Sequence, residues 1–245
     1  KSGGGILSTV KATRKANPQK LQELTQARAN NFLKQGVTSL EIKTGYALDF
    51  KNEMKSLRVI NKIKGPRIFS TFLGAHSVPP EFSSAKEYIQ ELINWLPQIR
   101  KRTHRLDIWI EKGFFEAEFS KAYLLKAREL GFAITVHADQ LTLSGGSALA
   151  IELKALSADH VIQIDDHLIE QFAKAETTAV LLPAADLYMK CPYPPARMLI
   201  DAGARVALAT DFNPGTCPTL DLALVGLLAR LEMKMTLPEV LSAYT

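Results

Sequence analysis

Short apolar runs rich in β-branched residues alternate along this 245-residue chain with longer amphipathic segments. This alternation is typical of repeated βα units, which build a parallel sheet covered by helices. The runs predicted to be strands are Val37–Lys43, Arg67–Leu73, Leu106–Ile110, Ala133–His137, Leu156–His160, Thr178–Leu182 and Arg205–Thr210. Because no linker, repeat or low-complexity stretch interrupts the pattern, we predict an α/β fold with residues 1–245 as a single domain.

The segments between these runs carry helix start and stop signals. Asn17-Pro18 predicts the start of a helix, with proline at its first position, and Gly36 predicts its end. The apolar residues of this helix include Leu21, Leu24, Phe32 and Leu33.

The number of predicted strands is one short of a closed barrel. A (β/α)8 TIM-type barrel is a common fold for a chain of about 250 residues, and it has eight strands. The chain begins in Gly3-Gly4-Gly5, with no strand signal before it. We therefore expect a barrel that lacks its first strand in the sequence given, as part of a longer chain.

The charge pattern argues against a nucleic-acid-binding surface. The formal net charge is +5, and the basic residues are spread over predicted helix faces, with one short cluster at Arg100-Lys101-Arg102. A nucleic-acid footprint needs a basic stripe interleaved with aromatic residues, which the sequence does not show. Solvated helix faces explain the charge, and attraction of anionic substrates is a second explanation.

Hydropathy and cysteine usage favour a cytoplasmic protein. No run of 18 apolar residues and no signal peptide is found in the sequence. Cys191 and Cys217 are too few for a disulfide framework, which fits a reducing compartment, and they lack a nearby basic partner that would activate them.

Polar residues of catalytic type follow one predicted strand after another. These residues are Tyr46, His76, Glu111, His137, His160 and Asp211. In a parallel barrel the carboxyl ends of the strands open on one face, where active sites are built. Imidazole and carboxylate groups are also the donor set of a catalytic zinc or iron site. The other two histidines, His104 and His167, lie in polar turns and are expected at the surface.

The order of these residues resembles the amidohydrolase superfamily. If the missing strand is counted as the first, His137 ends the fifth strand, His160 the sixth and Asp211 the eighth. In that superfamily the first strand carries a His-x-His pair, and no such pair occurs in this sequence. The resemblance implies a metal-dependent hydrolase barrel and, as in the family, a further small β domain outside this sequence.

Several loops narrow the resemblance to the imidazolonepropionase family, whose members hydrolyse the cyclic amide 4-imidazolone-5-propanoate to N-formimidoyl-L-glutamate in histidine degradation. The segments that carry it are Gly3–Ile6, Glu41–Tyr46, Phe72–Glu81, His137–Gln140, Ser157–His160 and Thr210–Thr216. One departure lies at Asp107–Glu111, which lacks the cysteine that commonly precedes the glutamate, so Glu111 is a less secure site residue.

The resemblance assigns roles to individual residues. It implies one divalent metal, zinc or iron, with His137 and Asp211 as ligands and Asp211 also as the general base. His160 either stabilises the oxyanion or only orients Asp211. Gln140 is expected to act in catalysis and to bind the imidazolone ring. The remaining residues that it implies in substrate binding are Tyr46, His76, Asn213, Gly215 and Thr216.

Further expectations concern the loops and the partners. Gly3-Gly4-Gly5 is expected to form a lid over the site. Asn213, Gly215 and Thr216 are expected to offer backbone N–H groups to the propanoate or its neighbourhood. Lys43 is a second candidate for carboxylate binding, and Lys112 is not expected to bridge two metals. The partners implied are the small-molecule substrate and a second copy of the chain in a homodimer, with no nucleic acid and no membrane.

Two alternatives remain open. The first is another cyclic amidase or a deaminase of the same superfamily, which would keep the metal and change the pocket. The second is a binding barrel without catalysis, against which the presence of His137, His160 and Asp211 argues.

Overall fold

The structure is a computed structural model that describes residues 6–245. The predicted glycine lid at residues 3–5 lies outside these residues. The strands are β1 (Ser39–Lys43), β2 (Arg67–Ala75), β3 (Arg105–Ile110), β4 (Ala133–Ala138), β5 (Ser157–His160), β6 (Thr178–Leu181) and β7 (Val206–Leu208). The helices are α1 (Ile6–Lys15), α2 (Pro18–Lys34), α3 (Phe50–Ile60), α4 (Ala85–Ile99), α5 (Ala117–Glu129), α6 (Gly146–Glu152), α7 (Asp166–Lys174), α8 (Pro183–Met189), α9 (Ala196–Asp201), α10 (Leu222–Leu231) and α11 (Leu237–Ala243).

Each strand lies beside the strand that precedes it in the sequence. The order is β1-β2-β3-β4-β5-β6-β7, and at least one helix follows each strand. The pairs β1-β2, β2-β3, β4-β5, β5-β6 and β6-β7 are parallel. This is the topology of consecutive βα units, as in a (β/α) barrel. All seven predicted strands are confirmed, and their ends move by one or two residues. The largest change shortens the last strand to Val206–Leu208.

The chain divides into two compact units. Unit 1 consists of Lys1–Trp109 and Phe119–Ile134, and unit 2 of Ile110–Glu118 and Thr135–Thr245. Strand β4 contributes residues to both. The single domain over residues 1–245 stays a prediction.

The core of unit 1 forms where α4 packs on β2. Tyr88, Leu92 and Leu96 on α4 are fully buried, as is Phe72 on β2. The Tyr88 hydroxyl lies 3.2 Å from the carbonyl oxygen of Leu48, to which it donates a hydrogen bond. Burying side chains of this size gives each roughly 2 kcal/mol of hydrophobic stabilisation.

In unit 2, α6 lies so close to β4 that only glycine fits at its start. A Cβ on Gly146 would stand 2.9 Å from the Cβ and 3.0 Å from the Cα of Ala138. The residues on either side of the loop 139–145, Ala138 and Gly146, are therefore in direct contact. This loop carries Gln140.

The predicted start of α2 is confirmed. Asn17 accepts a hydrogen bond from the Lys20 backbone N–H at 2.7 Å and caps the helix. Of the apolar residues on this helix, Phe32 is buried together with Ala29, three residues earlier on the same face. Leu24 and Leu33 are instead 40% and 41% exposed.

Within residues 6–245, every helix is too short or too polar to cross a membrane.

Candidate active site

Two predicted site residues of unit 1, Tyr46 and His76, lie together at the ends of β1 and β2. Their rings meet edge to face, with centroids 5.1 Å apart. The Nδ1 atom of His76 is 2.9 Å from the carbonyl oxygen of Gly45. Gly45 has φ +101°, and a Cβ there would stand 2.7 Å from the carbonyl oxygen of Leu73, so the turn requires glycine.

A buried carboxylate shapes the loop that carries Tyr46. Glu53, on α3, accepts hydrogen bonds from the backbone N–H groups of Gly45, Ala47 and Leu48, at 2.9 to 3.3 Å. Burial raises the pKa of Glu53 above its ordinary value, and these hydrogen bonds oppose that rise. No composition signal pointed to Glu53, and sequence analysis missed it.

Lys43, a candidate for carboxylate binding, pairs with carboxylates of the protein itself. Its Nζ lies 2.5 Å from Oδ2 of Asp107 and 3.7 Å from Oε2 of Glu41. Asp107 is fully buried, so the lysine compensates a charge that would otherwise be costly to bury.

In unit 2, His137 and Asp159 lie side by side near the ends of β4 and β5. They are register partners on β4 and β5, so their side chains leave the same face of the sheet. Their ligand atoms lie within 4.8 Å of each other and belong to a group suited to holding a metal ion. One imidazole and one carboxylate fit a divalent metal such as zinc or iron.

His160 lies beside this pair. Its ring centroid is 5.4 Å from that of His137, and the side chain is buried. The structure therefore brings together the two histidines that the sequence placed on neighbouring strands. Asp159, to which sequence analysis gave no role, is the register partner of His137 and directly precedes His160. Its position next to His160 was the available signal in the sequence.

The backbone at these strand ends adopts unusual conformations. Asp139, His160 and Asp211 have φ values of +49°, +78° and +51°, in the left-handed region that residues other than glycine rarely occupy. Each such residue costs of order 1 kcal/mol or more, and strain of this kind collects at functional sites.

Gln140 is buried at the start of the loop after β4. Its Nε2 atom is 3.6 Å from the sulfur of Met189, the last residue of α8. Glu111, the uncertain site residue, is also buried, and its carboxylate accepts a hydrogen bond from the backbone N–H of Leu141 at 2.8 Å. Glu111 thus supports the segment that carries Gln140.

The turn after Asp211 is organised by the Asn213 side chain. Its Oδ1 accepts hydrogen bonds from the backbone N–H groups of Gly215 and Thr216, both at 2.8 Å. Its Nδ2 donates to the carbonyl oxygen of Asp211 at 2.7 Å. Of the three backbone N–H groups expected to face an anion, those of Gly215 and Thr216 are therefore bonded to the Asn213 side chain in this structure, and that of Asn213 donates to the carbonyl oxygen of Cys217 at 2.9 Å.

Asp186, on α8, is a buried carboxyl group that sequence analysis did not select. Neither of its carboxyl oxygens has a hydrogen-bond partner within residues 6–245. Burial, and secondarily the negative charge of Asp211, raises the pKa of Asp186 to about 8. It follows an apolar run and a proline, as a structural helix residue would, so its sequence context carried no signal.

His104 and His167, which were expected at the surface, are exposed, and so is Lys112. Cys191 and Cys217 are both free cysteines, and burial raises the pKa of each thiol, which disfavours the reactive thiolate.

Comparison with curated proteins shows relatives along the whole chain. An imidazolonepropionase of Bdellovibrio bacteriovorus is 57% identical over 99% of this chain and 58% of its own length. Another from Kosmotoga olearia is 44% identical over 100% of this chain and 61% of its own length. The chain is therefore similar to imidazolonepropionases along nearly its whole length. It spans about three fifths of the length of these curated relatives.

Comparison with solved structures confirms the predicted (β/α)-barrel fold. A variant of atrazine chlorohydrolase TrzN from Arthrobacter aurescens, complexed with zinc and atraton, has a TM-score of 0.63 and 16% identity, covering 94% of this chain and 56% of that one. Arabidopsis ADAL complexed with IMP has a TM-score of 0.72 and 12% identity, covering 93% of this chain and 71% of that one. No protein-family model matches the chain. At identities of 16% and 12%, the solved structures support the fold of this chain and carry no information about its substrate.

Proposed function

We propose that the protein containing this chain hydrolyses 4-imidazolone-5-propanoate to N-formimidoyl-L-glutamate, a step of histidine degradation. The observation that carries this proposal is the 57% identity to a curated imidazolonepropionase over 99% of the chain. The arrangement of His137, His160 and Gln140 at the ends of strands in unit 2 supports it independently, because a metal-dependent hydrolase of this fold needs its reactive groups there.

The donor set of unit 2 fits one divalent metal, and we propose zinc or iron. His137 and Asp211 are its proposed ligands, and the distance between His137 and Asp159 makes Asp159 a further candidate. When bound, such a metal lowers the pKa of water and polarises a carbonyl group.

The protein's own residues would supply the proton transfers and the orientation. Asp211 is the proposed general base, which takes a proton from the attacking water. His160, whose buried ring lies 5.4 Å from that of His137, is the proposed hydrogen-bond donor to the oxyanion, and the alternative role is to orient Asp211.

Substrate binding is proposed for a separate set of residues. Gln140 both donates and accepts hydrogen bonds, which suits a planar ring that carries N–H and C=O groups. The other residues proposed to bind the substrate are Tyr46, His76, Asn213, Gly215 and Thr216.

The proposed function predicts that Asp211→Ala abolishes ring opening. The test measures metal content and hydrolysis of 4-imidazolone-5-propanoate on the full-length gene product, beside this variant. Loss of a general base lowers kcat by about 100-fold or more. The matched control is Asp166→Ala, an exposed aspartate on α7, which should retain activity.

Three other outcomes would contradict the proposal in different ways. A wild type that contains metal but leaves the imidazolone intact would redirect the search to other cyclic amides. Ammonia release from a heterocyclic amine would identify a deaminase. A wild type that neither binds metal nor turns over any of these substrates would favour a binding barrel.

Location and assembly are also proposals. The two free cysteines fit a reducing cytoplasm. A homodimer is proposed from the family resemblance, and light scattering on the full-length protein tests it.

A further inference from the structure

The loop after β4, residues 139–145, is held at its far end by one buried carboxylate. The Oδ1 atom of Asp139 accepts hydrogen bonds from the backbone N–H groups of Ser144 at 2.7 Å and Gly145 at 2.9 Å. Its Oδ2 atom accepts one from Ser147 at 2.8 Å. The loop is thus closed on its own first residue.

A second buried carboxylate, Glu111, holds the near end of the same loop. Glu111 follows the last residue of β3, and its side chain accepts hydrogen bonds from the backbone N–H groups of Leu141 at 2.8 Å and Thr142 at 3.4 Å. The hydroxyl of Thr142 also donates to it, in a short contact. The Lys112 backbone N–H completes the set at 3.0 Å.

Among the described residues, Glu111 accepts hydrogen bonds but forms no ion pair with a basic side chain. A buried carboxylate is expensive to desolvate, and charge-assisted hydrogen bonds of this number offset that cost. The same hydrogen bonds that stabilise the Glu111 carboxylate also hold the N–H groups that donate them in place. Their structural effect is therefore to immobilise the backbone at Leu141 and Thr142.

The position of Gln140 follows from these two attachments. The N–H of Leu141 and the carbonyl group of Gln140 belong to one planar peptide unit, so a hydrogen bond to the first fixes the second. On the other side, the carbonyl oxygen of Asp139 accepts hydrogen bonds from Ile162 at 3.1 Å and Gln163 at 2.8 Å. The backbone of Gln140 is therefore held on both sides, which leaves only side-chain torsions to adjust.

We propose that Glu111 is a positioning residue, which sets Gln140 for substrate binding by holding the backbone N–H groups of Leu141 and Thr142. The inference rests on the proposed function for the identity of the substrate. The hold on the loop itself does not depend on any substrate.

The kinetic test uses Glu111→Gln in the full-length enzyme. Glutamine offers one oxygen in place of two and turns an NH2 group toward donors, so the loop loses its anchor. We expect KM to rise by about 10-fold while kcat changes by less than about 3-fold, because the loss falls on binding rather than chemistry. Glu118→Gln, the same change at an exposed position, is the matched control and should leave both constants unchanged.

A double-variant cycle separates positioning from a general loss of structure. If Glu111 acts through Gln140, then adding Glu111→Gln to Gln140→Leu should change KM by less than about 2-fold. Equal effects of Glu111→Gln in both backgrounds would overturn the inference, as would a fall in kcat without a change in KM. Thr142→Val, which removes a single donor and keeps the side-chain shape, should raise KM in the same direction by about 3-fold.

Hydrogen exchange tests the same hold without substrate. In Glu111→Gln the amides of Leu141 and Thr142 should exchange faster, whereas those of Gly145 and Ser147, bound by Asp139, should not. Unchanged exchange at Leu141 and Thr142 would overturn the inference. A wild type that cannot open the imidazolone ring would refute the proposed function, and the exchange measurement would still decide whether Glu111 holds the loop.

Discussion

At the scale of single residues, the chain buries several acids without pairing them to bases. Glu53, Glu111 and Asp139 bind backbone N–H groups, whereas Asp186 has no hydrogen-bond partner in the part of the chain described. The first three are stabilised by the donors they collect. Asp186 therefore differs from them in its effect on stability.

Asp186 is predicted to make the metal-free protein less stable as the pH rises. The pKa of Asp186 is about 8 in the folded protein, compared with an ordinary 3.8. Between these values the folded chain retains a proton that the unfolded chain releases, so stability falls as the pH rises through this window. Replacing Asp186 with Leu removes the titrating group.

The measurement is urea denaturation of wild type and Asp186→Leu at about pH 5 and about pH 8.5. We expect the variant to be more stable, with a gain of about 1 to 3 kcal/mol at the higher pH and a smaller one at the lower pH. Asp166→Leu, at an exposed position, is the control. A gain that is the same at both pH values would contradict the assignment.

At the scale of elements, the strands could be predicted from the sequence, whereas the buried face of a helix could not. Strands such as β6 could be predicted from local composition, because a buried parallel strand is rich in apolar residues and Ala179, Val180 and Leu181 form such a run. The buried face of α2 could not be, because Leu24 and Leu33 are as apolar as Phe32 and only the neighbouring elements decide which of them is covered. Local sequence therefore fixes the kind of element better than its orientation.

The same limit explains the site residues that sequence analysis missed. His137 and His160 were found because a histidine at the end of an apolar strand is uncommon enough to notice. Glu53 and Asp186 lie in helices, where an acid is an ordinary surface residue, and only the three-dimensional packing shows that they are buried. Glu111 was noticed from its position, but its partners Leu141 and Thr142 are thirty residues away in the chain.

The loop between β1 and α3 is predicted to depend on the helix that follows it. Glu53→Gln replaces an acceptor of three backbone N–H groups by a side chain that carries its own donors. We expect a loss of roughly 2 kcal/mol of stability, because buried N–H groups lose their partner. We also expect a weaker near-ultraviolet circular dichroism signal from Tyr46, which this loop carries.

Urea denaturation followed by near-ultraviolet circular dichroism measures both effects. Glu23→Gln, on the exposed side of α2, is the control, since a surface ion pair such as that between Glu23 and Lys20 contributes little. A stability equal to wild type in Glu53→Gln would show that the hydrogen bonds do not hold this loop.

At the scale of the whole molecule, a divalent metal is expected to stabilise the folded protein. A ligand that binds only the native state adds free energy in proportion to the logarithm of its concentration over its dissociation constant. Removing the metal with a chelator should therefore lower the melting temperature of the full-length protein by about 5 °C or more. Adding zinc back should restore it.

His137→Ala tests whether this stabilisation arises at the proposed site. In that variant the melting temperature should no longer respond to chelator or to zinc, whereas His104→Ala, at an exposed histidine, should respond like wild type. A metal response that survives His137→Ala would place the metal elsewhere.

The left-handed backbone at Asp211 restricts how this position can change by mutation. Besides glycine, asparagine and aspartate are the residues that tolerate a φ of +51° most readily. A change to Asn is therefore structurally mild, but an amide cannot accept the proton that a carboxylate can. With Asp211 as the proposed general base, a gene copy that acquires this change would encode a folded protein that does not catalyse the proposed reaction. The residue at position 211 would then distinguish active from inactive members of a lineage.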